Sequence, residues 1–300
     1  MKRDKFKLLA VFSLVTGLLV FQACGDDDPV STDIGGDDQD PVATDPGVGD
    51  PPEIPLLQGV EMDVSYFEEN NPSNEEIQEN PDAYEVYLTA RGMAMGVGSL
   101  FSSALELPRF FLAVAAQRDA EYDDGTWVWE FPFTVDGTLV DEDEDFEVDV
   151  YIEANVNEAS NEVHWKFSFS GTGTPYGDVE DFLLIEISTN LDNTSGNFKF
   201  FSPENPEVPV LNFDWEAEAD DEQSISAAVV YTDDEEENGE VHTSTIDYTK
   251  SGHDFNIVIN DDSDETPIEI GWNDDTLEGS LTDPESIYCW GSNLRMTECN

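Results

Sequence analysis

The sequence predicts a mainly β protein: an antiparallel meander of about eleven strands that forms a curved sheet or a barrel, with an N-terminal helical segment packed on its apolar face. Two observations predict this fold. After Gly125, apolar and polar residues alternate, which is the period of a strand with one buried face. Before that point, one segment has apolar residues at the spacing of a helix.

The helical segment covers about residues 82–118. Pro108 is expected to end its first helix, because proline lacks a backbone N–H and clashes with the preceding turn. Phe110–Gln117 then forms a second, short helix. The uncharged stretch Gly92–Leu105 has fourteen residues, fewer than the roughly 20 that span a bilayer, which favours burial against a sheet. The buried face is expected to contain Val86, Tyr87, Ala90, Ala94, Val97, Phe101, Ala104 and Leu105.

The strand candidates are separated by short turns rich in Asp, Asn, Gly and Pro, so sequential strands are expected to pair antiparallel. Each has one apolar and one polar or acidic face, so the sheet must bury a single side. Trp165 and Trp215 lie in register with the apolar faces, which favours core packing over stacking on sugar rings. The eleven candidates, within about residues 126–290, are Trp127–Phe133, Phe146–Val156, Val163–Ser170, Phe182–Ser188, Asn197–Phe201, Leu211–Ala219, Ile225–Tyr231, His242–Thr249, Phe255–Asn260, Ile268–Trp272 and Leu277–Leu281.

This order of elements is similar to that of the half-barrels of periplasmic lipoprotein carriers and, less closely, of lipocalins. The similarity lies in the order of elements only, and no residue motif supports it. It implies a curved apolar sheet that holds a lipid or another hydrophobic ligand. Whether the sheet is filled or hollow stays open at this point.

The first 23 residues have the order of a bacterial export signal. A basic start is followed by the apolar run Leu8–Phe21 and then by Ala23 and Cys24. This resembles a lipoprotein signal, although Phe21 stands where that family prefers Leu. The resemblance implies a signal peptide over residues 1–23 that is cleaved after Ala23, and fatty acyl chains such as palmitate on Cys24 that hold the protein in a lipid bilayer. The alternative is a membrane-spanning anchor, for which a run of fourteen apolar residues is short.

Residues 24–59 are expected to form a disordered tether, because they combine many acidic residues with frequent Pro and Gly and little apolar surface. Acidic residues directly after Cys24 also resemble the surface-export signals of Bacteroidota lipoproteins. That resemblance implies a lipid anchor in the outer membrane, on its periplasmic or its surface-exposed face. Residues 60–300 are then expected to form a single mainly β domain.

The net charge of the chain limits the classes of partner that it can bind. The sequence has 11 basic and 69 acidic residues and a net charge of −58. Loss of the signal peptide would leave seven basic and 68 acidic residues, a net charge of −61, because it removes Lys2, Arg3, Lys5, Lys7 and Asp4. Such a surface repels nucleic acid and anionic headgroups, and it suggests a fold that needs salt to screen its own repulsion. The expected partners are the bilayer, through Cys24, and an unidentified hydrophobic ligand or surface protein.

Few residues suggest a covalent bond, a catalytic site or a metal site. Cys289 and Cys299 are ten positions apart, and an even pair outside the cytoplasm is most simply a disulfide. His164, His242 and His253 belong to no metal or catalytic pattern. The sequence therefore predicts no catalytic residue, no metal ligand and no cofactor. Three acidic runs are interpreted as solvated hairpin tips, with calcium binding as the alternative: Asp141–Asp145, Asp233–Glu237 and Asp261–Glu265.

These expectations favour a membrane-anchored extracytoplasmic lipoprotein that acts as a binding or structural module. Three alternatives remain at this point: a carrier of a lipid or another hydrophobic molecule, an accessory lipoprotein that binds a surface glycan or protein, and, less favoured, a hydrolase that uses a pair of carboxylates.

Overall fold

The computed structural model describes residues 51–53, 55, 57, 60–135, 146–157, 159–174, 177–203, 205–219, 221–232, 241–262, 266–284 and 286–299. Within these ranges, three helices come first: α1 (Ser65–Glu69), α2 (Asn74–Glu79) and α3 (Pro81–Ala115). The strands follow in chain order: β1 (Glu121–Asp123), β2 (Thr126–Val135), β3 (Phe146–Asn157), β4 (Glu162–Thr174), β5 (Gly177–Asn190), β6 (Ser195–Ser202), β7 (Asn205–Ala219), β8 (Glu222–Thr232), β9 (Val241–Ser251), β10 (Asp254–Asp261), β11 (Ile268–Asn273), β12 (Gly279–Thr282), β13 (Ile287–Trp290) and β14 (Met296–Thr297).

The strands form one antiparallel meander in which each strand pairs with its neighbours in the sequence. All eleven predicted strands are present, as β2–β12. The structure adds β1, β13 and β14, which are too short to show a period of two. Leu277, predicted to begin a strand, has a φ of 60° and lies in the turn before β12. Within the described chain β1 does not pair with β14, so the sheet is open and is not a barrel.

The first helix does not end at Pro108, so the prediction of two helices is wrong. Helix α3 is continuous from Pro81 to Ala115 and has Pro108 inside it. Proline removes one backbone hydrogen bond and strains the preceding turn. Its neighbours Leu105, Phe111 and Leu112 are all buried, and burying side chains of this size contributes about 1.5–3 kcal/mol each. Burial of both flanking turns therefore offsets the cost of the proline.

Helix α3 lies across the strands on their apolar face. Its Tyr87 ring is 5.8 Å from Trp290 of β13, Phe101 is 5.4 Å from Phe213 of β7, and Phe111 is 5.5 Å from Phe133 of β2. Eleven steps between strands, from β2 to β13, cover about 53 Å along the sheet. The helix covers only about 36 Å between Tyr87 and Phe111. The sheet must therefore curve around the helix, which fills the concave side.

The concave side forms the core. By length and composition, α3 is also apolar enough to cross a membrane, and half of its most apolar window is buried within the protein. The buried half lies on the sheet, as expected for a core helix. Trp165 and Trp215 are buried there too, which confirms that these tryptophans belong to the core.

The segment that leads into α1, together with the first residues of α1, forms a third layer beside α3. We call residues 60–67 the strap. It runs antiparallel to α3: the Arg91 guanidinium donates to the carbonyl of Phe67 (2.8 Å), and the side chain of Val64 lies against Gly98. A Cβ on Gly98 would lie 3.1 Å from Val64 Cγ2, closer than ordinary packing. Glycine at this position therefore lets the strap approach the helix closely.

Candidate functional site

The predicted lipid anchor lies outside the described residues, since Ala23 and Cys24 both precede residue 51. The structure does place the chain that follows the predicted tether. Arg109 Nη2 donates to the carbonyl of Leu57 (2.8 Å), and Leu57 is buried. A tether would therefore join the folded part of the chain beside the C-terminal turns of α3.

Two basic side chains and one amide side chain hold the strap in place. Lys250 of β9 pairs with Asp63 (3.0 Å), Arg109 pairs with Glu61, and Gln223 of β8 donates to the Glu61 carbonyl (3.0 Å). Burial raises the pKa of Asp63, but hydrogen bonds from Ser65 and Lys250 outweigh this and hold the pKa below its ordinary value. Sequence reasoning missed these contacts, because the pairs are far apart along the chain.

The predicted disulfide is present in the structure. Cys289 lies on β13 and Cys299 just beyond β14, with their sulfur atoms bonded and their Cα atoms 5.3 Å apart. The bond closes the last hairpin of the meander. We call β13, β14, α1 and the N-terminal turns of α3 the last edge of the sheet.

Hydrogen bonds hold the interior of this last edge. Trp290 Nε1 donates to the Tyr66 hydroxyl (2.9 Å), which donates to the Leu277 carbonyl (3.1 Å). Burial raises the pKa of Tyr66 to about 12, so its hydroxyl keeps its proton at neutral pH. On the outside, Arg295 Nε donates to the Tyr84 hydroxyl (3.0 Å). The side-chain polar groups of Tyr66, Tyr84 and Trp290 are therefore paired.

The opposite end of the meander has exposed aromatic side chains. We call β1, the outer side of β2 and the C-terminal turns of α3 the first edge. Five aromatic side chains, here called the aromatic edge, lie at least partly exposed on its concave side: Phe110, Tyr122, Trp127, Phe133 and Phe146. Phe110 packs on Phe133 (5.5 Å between ring centres) and Tyr122 on Trp127 (4.9 Å). No single sequence period indicated this cluster, because its members come from four elements: α3, β1, β2 and the start of β3.

Among the residues that the structure describes, four buried side-chain polar atoms have no hydrogen-bond partner: Trp165 Nε1, Thr189 Oγ1, Trp215 Nε1 and Trp272 Nε1. Thr189 of β5, Gly196 of β6 and Trp215 of β7 are aligned across adjacent strands. The ring of Trp215 lies over Gly196, where a Cβ would overlap it. This row therefore depends on close packing rather than on hydrogen bonds.

The structure does not bring the three histidines together. His164 contacts Ser188 on the polar face of the sheet (2.8 Å), and His242 contacts Asp262 (3.0 Å). His253 lies in the turn between β9 and β10, as the sequence indicated. Its Nδ1 is 2.6 Å from Asp274 Oδ1, and this hydrogen bond raises the histidine pKa.

No metal-ligating cluster was predicted, and no group of three or more potential metal ligands occurs in the part of the chain that the structure describes. Two of the acidic runs, Asp141–Asp145 and Asp233–Glu237, lie outside the described residues. The third is described only at its first two residues, Asp261 and Asp262. Calcium binding at these runs stays an untested alternative.

No protein-family model, curated protein or solved structure matches this chain.

Proposed function

We propose that the protein is an extracytoplasmic lipoprotein, anchored through Cys24, that acts as a binding or structural module. The observation that carries the proposal is the filled concave face. Tyr87, Val97 and Phe101 of α3 are fully buried against the sheet, which leaves the polar face, the edges and the loops to meet other molecules. The disulfide between Cys289 and Cys299 supports an oxidising compartment.

The filled face favours a module over a carrier of hydrophobic ligands. A half-barrel carrier needs its apolar face free for ligand, whereas α3 and the strap occupy this one. Native mass spectrometry of the gently purified protein separates the two functions. We expect the mass of the protein with its covalent modifications only. A retained lipid or other hydrophobic molecule would favour the carrier.

Metabolic labelling tests the anchor. The native chain should incorporate labelled palmitate, lose residues 1–23 and sediment with the envelope. Cys24→Ser should lose the label and keep the mass of the uncleaved precursor. The matched control is the double substitution Cys289→Ser and Cys299→Ser, which removes two cysteines but should still be labelled and cleaved. Normal maturation of Cys24→Ser would refute lipidation at this residue.

A further inference from the structure

One side of helix α3 faces neither the sheet nor the strap. Arg91 and Gly98 contact the strap along one flank of the helix, and the buried side chains of α3 face the sheet. A third side is exposed or partly exposed, and its residues follow one another at steps of three and four, so they lie on one line along the helix. We call this side the outer face, and its residues are Leu88, Gly92, Met95, Ser99 and Ser102.

The outer face has no charged residue. Between Glu85 and Glu106, Arg91 is the only charged residue of α3, and its side chain donates to the Phe67 carbonyl of the strap. From Leu88 to Ser102 the uncharged line covers about 21 Å along the helix axis. In the whole chain 27% of the residues are charged, so this length of helix surface without charge differs from the rest of the molecule.

The opposite side of the molecule is acidic. Because α3 lies on the concave side of the sheet, its outer face and the convex face of the sheet point in opposite directions. Glu153, Asp214 and Glu269 are exposed, and each lies between two neighbours on its strand that face the core, so their carboxylates project from the convex face. Lys166 and Lys199 on the same face offset only part of this charge.

The proposed tether would join the fold on the helix side of the sheet. Leu57 is buried, and its carbonyl accepts a hydrogen bond from Arg109 in the C-terminal turns of α3. Residues 25–50 separate Cys24 from Pro51, the first residue that the structure describes. A coil of that length would reach about 30 Å. A domain held so close to a bilayer has an effective concentration in the millimolar range, so a weak contact is enough to orient it.

Size and charge favour a bilayer over a second copy of this chain as the partner. One side of a helix about 21 Å long and about 10 Å wide offers about 200 Å², whereas a stable protein interface needs about 800 Å² from each partner. Two copies would also bring together two chains that each have a net charge of −58. Turning the outer face to a bilayer instead directs the acidic convex face away from the lipid.

We propose that the outer face of α3 rests on the bilayer that holds Cys24, with the convex face of the sheet directed away from it. Leu88 and Met95 then contact the headgroup region. Phe110 is 43% exposed and lies about three turns beyond Ser99 on the same side of α3, where an aromatic ring suits the boundary between headgroups and acyl chains. This inference deepens the proposed function and rests on its lipid anchor.

Quenching of a fluorescent label by the bilayer tests the orientation. The chain has three cysteines, of which Cys24 would be lipidated and the other two are bonded, so one added cysteine is labelled selectively. Ser102→Cys places the label on the outer face, and Thr249→Cys places it at an exposed position of the convex face. The mature chain is held in zwitterionic nanodiscs whose headgroups carry a quencher. We expect several-fold stronger quenching at position 102 than at position 249. Equal quenching, or stronger quenching at position 249, would overturn the proposal.

An added charge assigns the contact to the outer face. Ser99→Glu, in the chain labelled at position 102, places a carboxylate in the middle of the uncharged line and should reduce quenching to the level seen at position 249. The matched control is Ser224→Glu, which adds the same charge at an exposed position of the convex face and should leave quenching unchanged. Equal quenching in these two variants would contradict a contact through the outer face. Unchanged circular dichroism shows that each variant is folded.

The anchor and the orientation can fail separately. Co-purification of the chain with nanodiscs reports the anchor, whereas the ratio of quenching at the two positions reports the orientation. A chain that does not stay with the nanodiscs contradicts both proposals, and an attached chain with equal quenching contradicts the orientation alone. Self-quenching between position-102 labels of two chains, without quenching by lipid, would identify a second copy as the partner and overturn the proposal.

Discussion

The two edges of the open sheet are built differently. At the last edge, a disulfide closes the final hairpin and Trp290 is hydrogen-bonded to Tyr66. At the first edge, Phe110 and Tyr122 are exposed and the outer side of β2 is open over most of its described length. An open meander must end somewhere, and each end presents unpaired backbone groups and core side chains. Both ends expose large apolar side chains, Ile287 and Met296 at the last edge and Phe110 and Tyr122 at the first. The two edges therefore differ in how the end of the sheet is held, and not in whether it exposes apolar surface.

The largest expected effect on stability comes from a substitution that displaces the Trp290 ring. A Cβ on Gly279 of β12 would overlap both the Trp290 ring and the backbone of Gly271, so the ring has to move. We expect Gly279→Ala to lower the free energy of unfolding by about 3 kcal/mol or more, measured by denaturant titration.

Gly291→Ala is the matched control, since its Cβ would meet nothing closer than 3.9 Å. It should change stability by less than about 0.5 kcal/mol. Equal effects at Gly279 and Gly291 would show that the last edge does not depend on this packing.

Removal of the disulfide should have the next largest effect. Cys289→Ala with Cys299→Ala frees a loop with a sequence separation of 10, which should cost roughly 2–3 kcal/mol in the chain-entropy account. Hydrogen exchange should quicken at β13 and β12 while β2 stays as protected as before. Faster exchange at β2 as well would mean that the edges are coupled through α3.

Two nearly isosteric substitutions compare the contribution of a buried hydroxyl that is hydrogen-bonded with that of one that has no partner. Tyr66→Phe leaves Trp290 Nε1 and the Leu277 carbonyl without their partner, so we expect a loss of about 1–3 kcal/mol. Thr189→Val removes a buried hydroxyl that has no partner and should raise stability by up to about 1 kcal/mol. Thermal unfolding of both variants measures the contrast. Destabilisation by Thr189→Val would indicate that its hydroxyl has a partner in solution.

The smallest effect concerns the strap, which connects the two edges. Because the pKa of Asp63 is lowered on folding, its contribution is present above its ordinary value of 3.8 and is lost as pH falls through the lowered pKa. The side chain of Asp63 is partly exposed, so the contribution is a few tenths of a kcal/mol.

Asp63→Asn should therefore lower stability slightly at pH 7 and make no difference at about pH 2. Asp123→Asn, at an exposed position of β1, is the control and should match the native chain at both pH values. A constant difference between Asp63→Asn and the native chain would assign the effect to packing.

The sequence was most informative where one strand buries one face. The alternation in strands such as Phe146–Val156 located the eleven strands β2–β12, because side chains on a strand point alternately to opposite faces. It failed at Pro108, because local propensity does not include the burial of Leu105 and Phe111 on a distant strand. It also missed β1, β13 and β14, because two to four residues hold too little alternation to be recognised, whereas β12, which is as short as β13, was predicted only as part of the longer run Leu277–Leu281. None of the contacts of the strap could be predicted, since Asp63 and Lys250 are 187 positions apart.

By itself, the sequence determined the mainly β class, the antiparallel order of strands and the apolar helix that covers them, since these follow from periods of two and of about 3.6 residues. The expected cysteine pair also followed from composition. Only the tertiary structure decided that the sheet is open, that α3 fills it from β13 to β2, and that its two edges differ. Those features depend on the curvature of the sheet and on contacts between residues far apart along the chain, which no local pattern of residues contains.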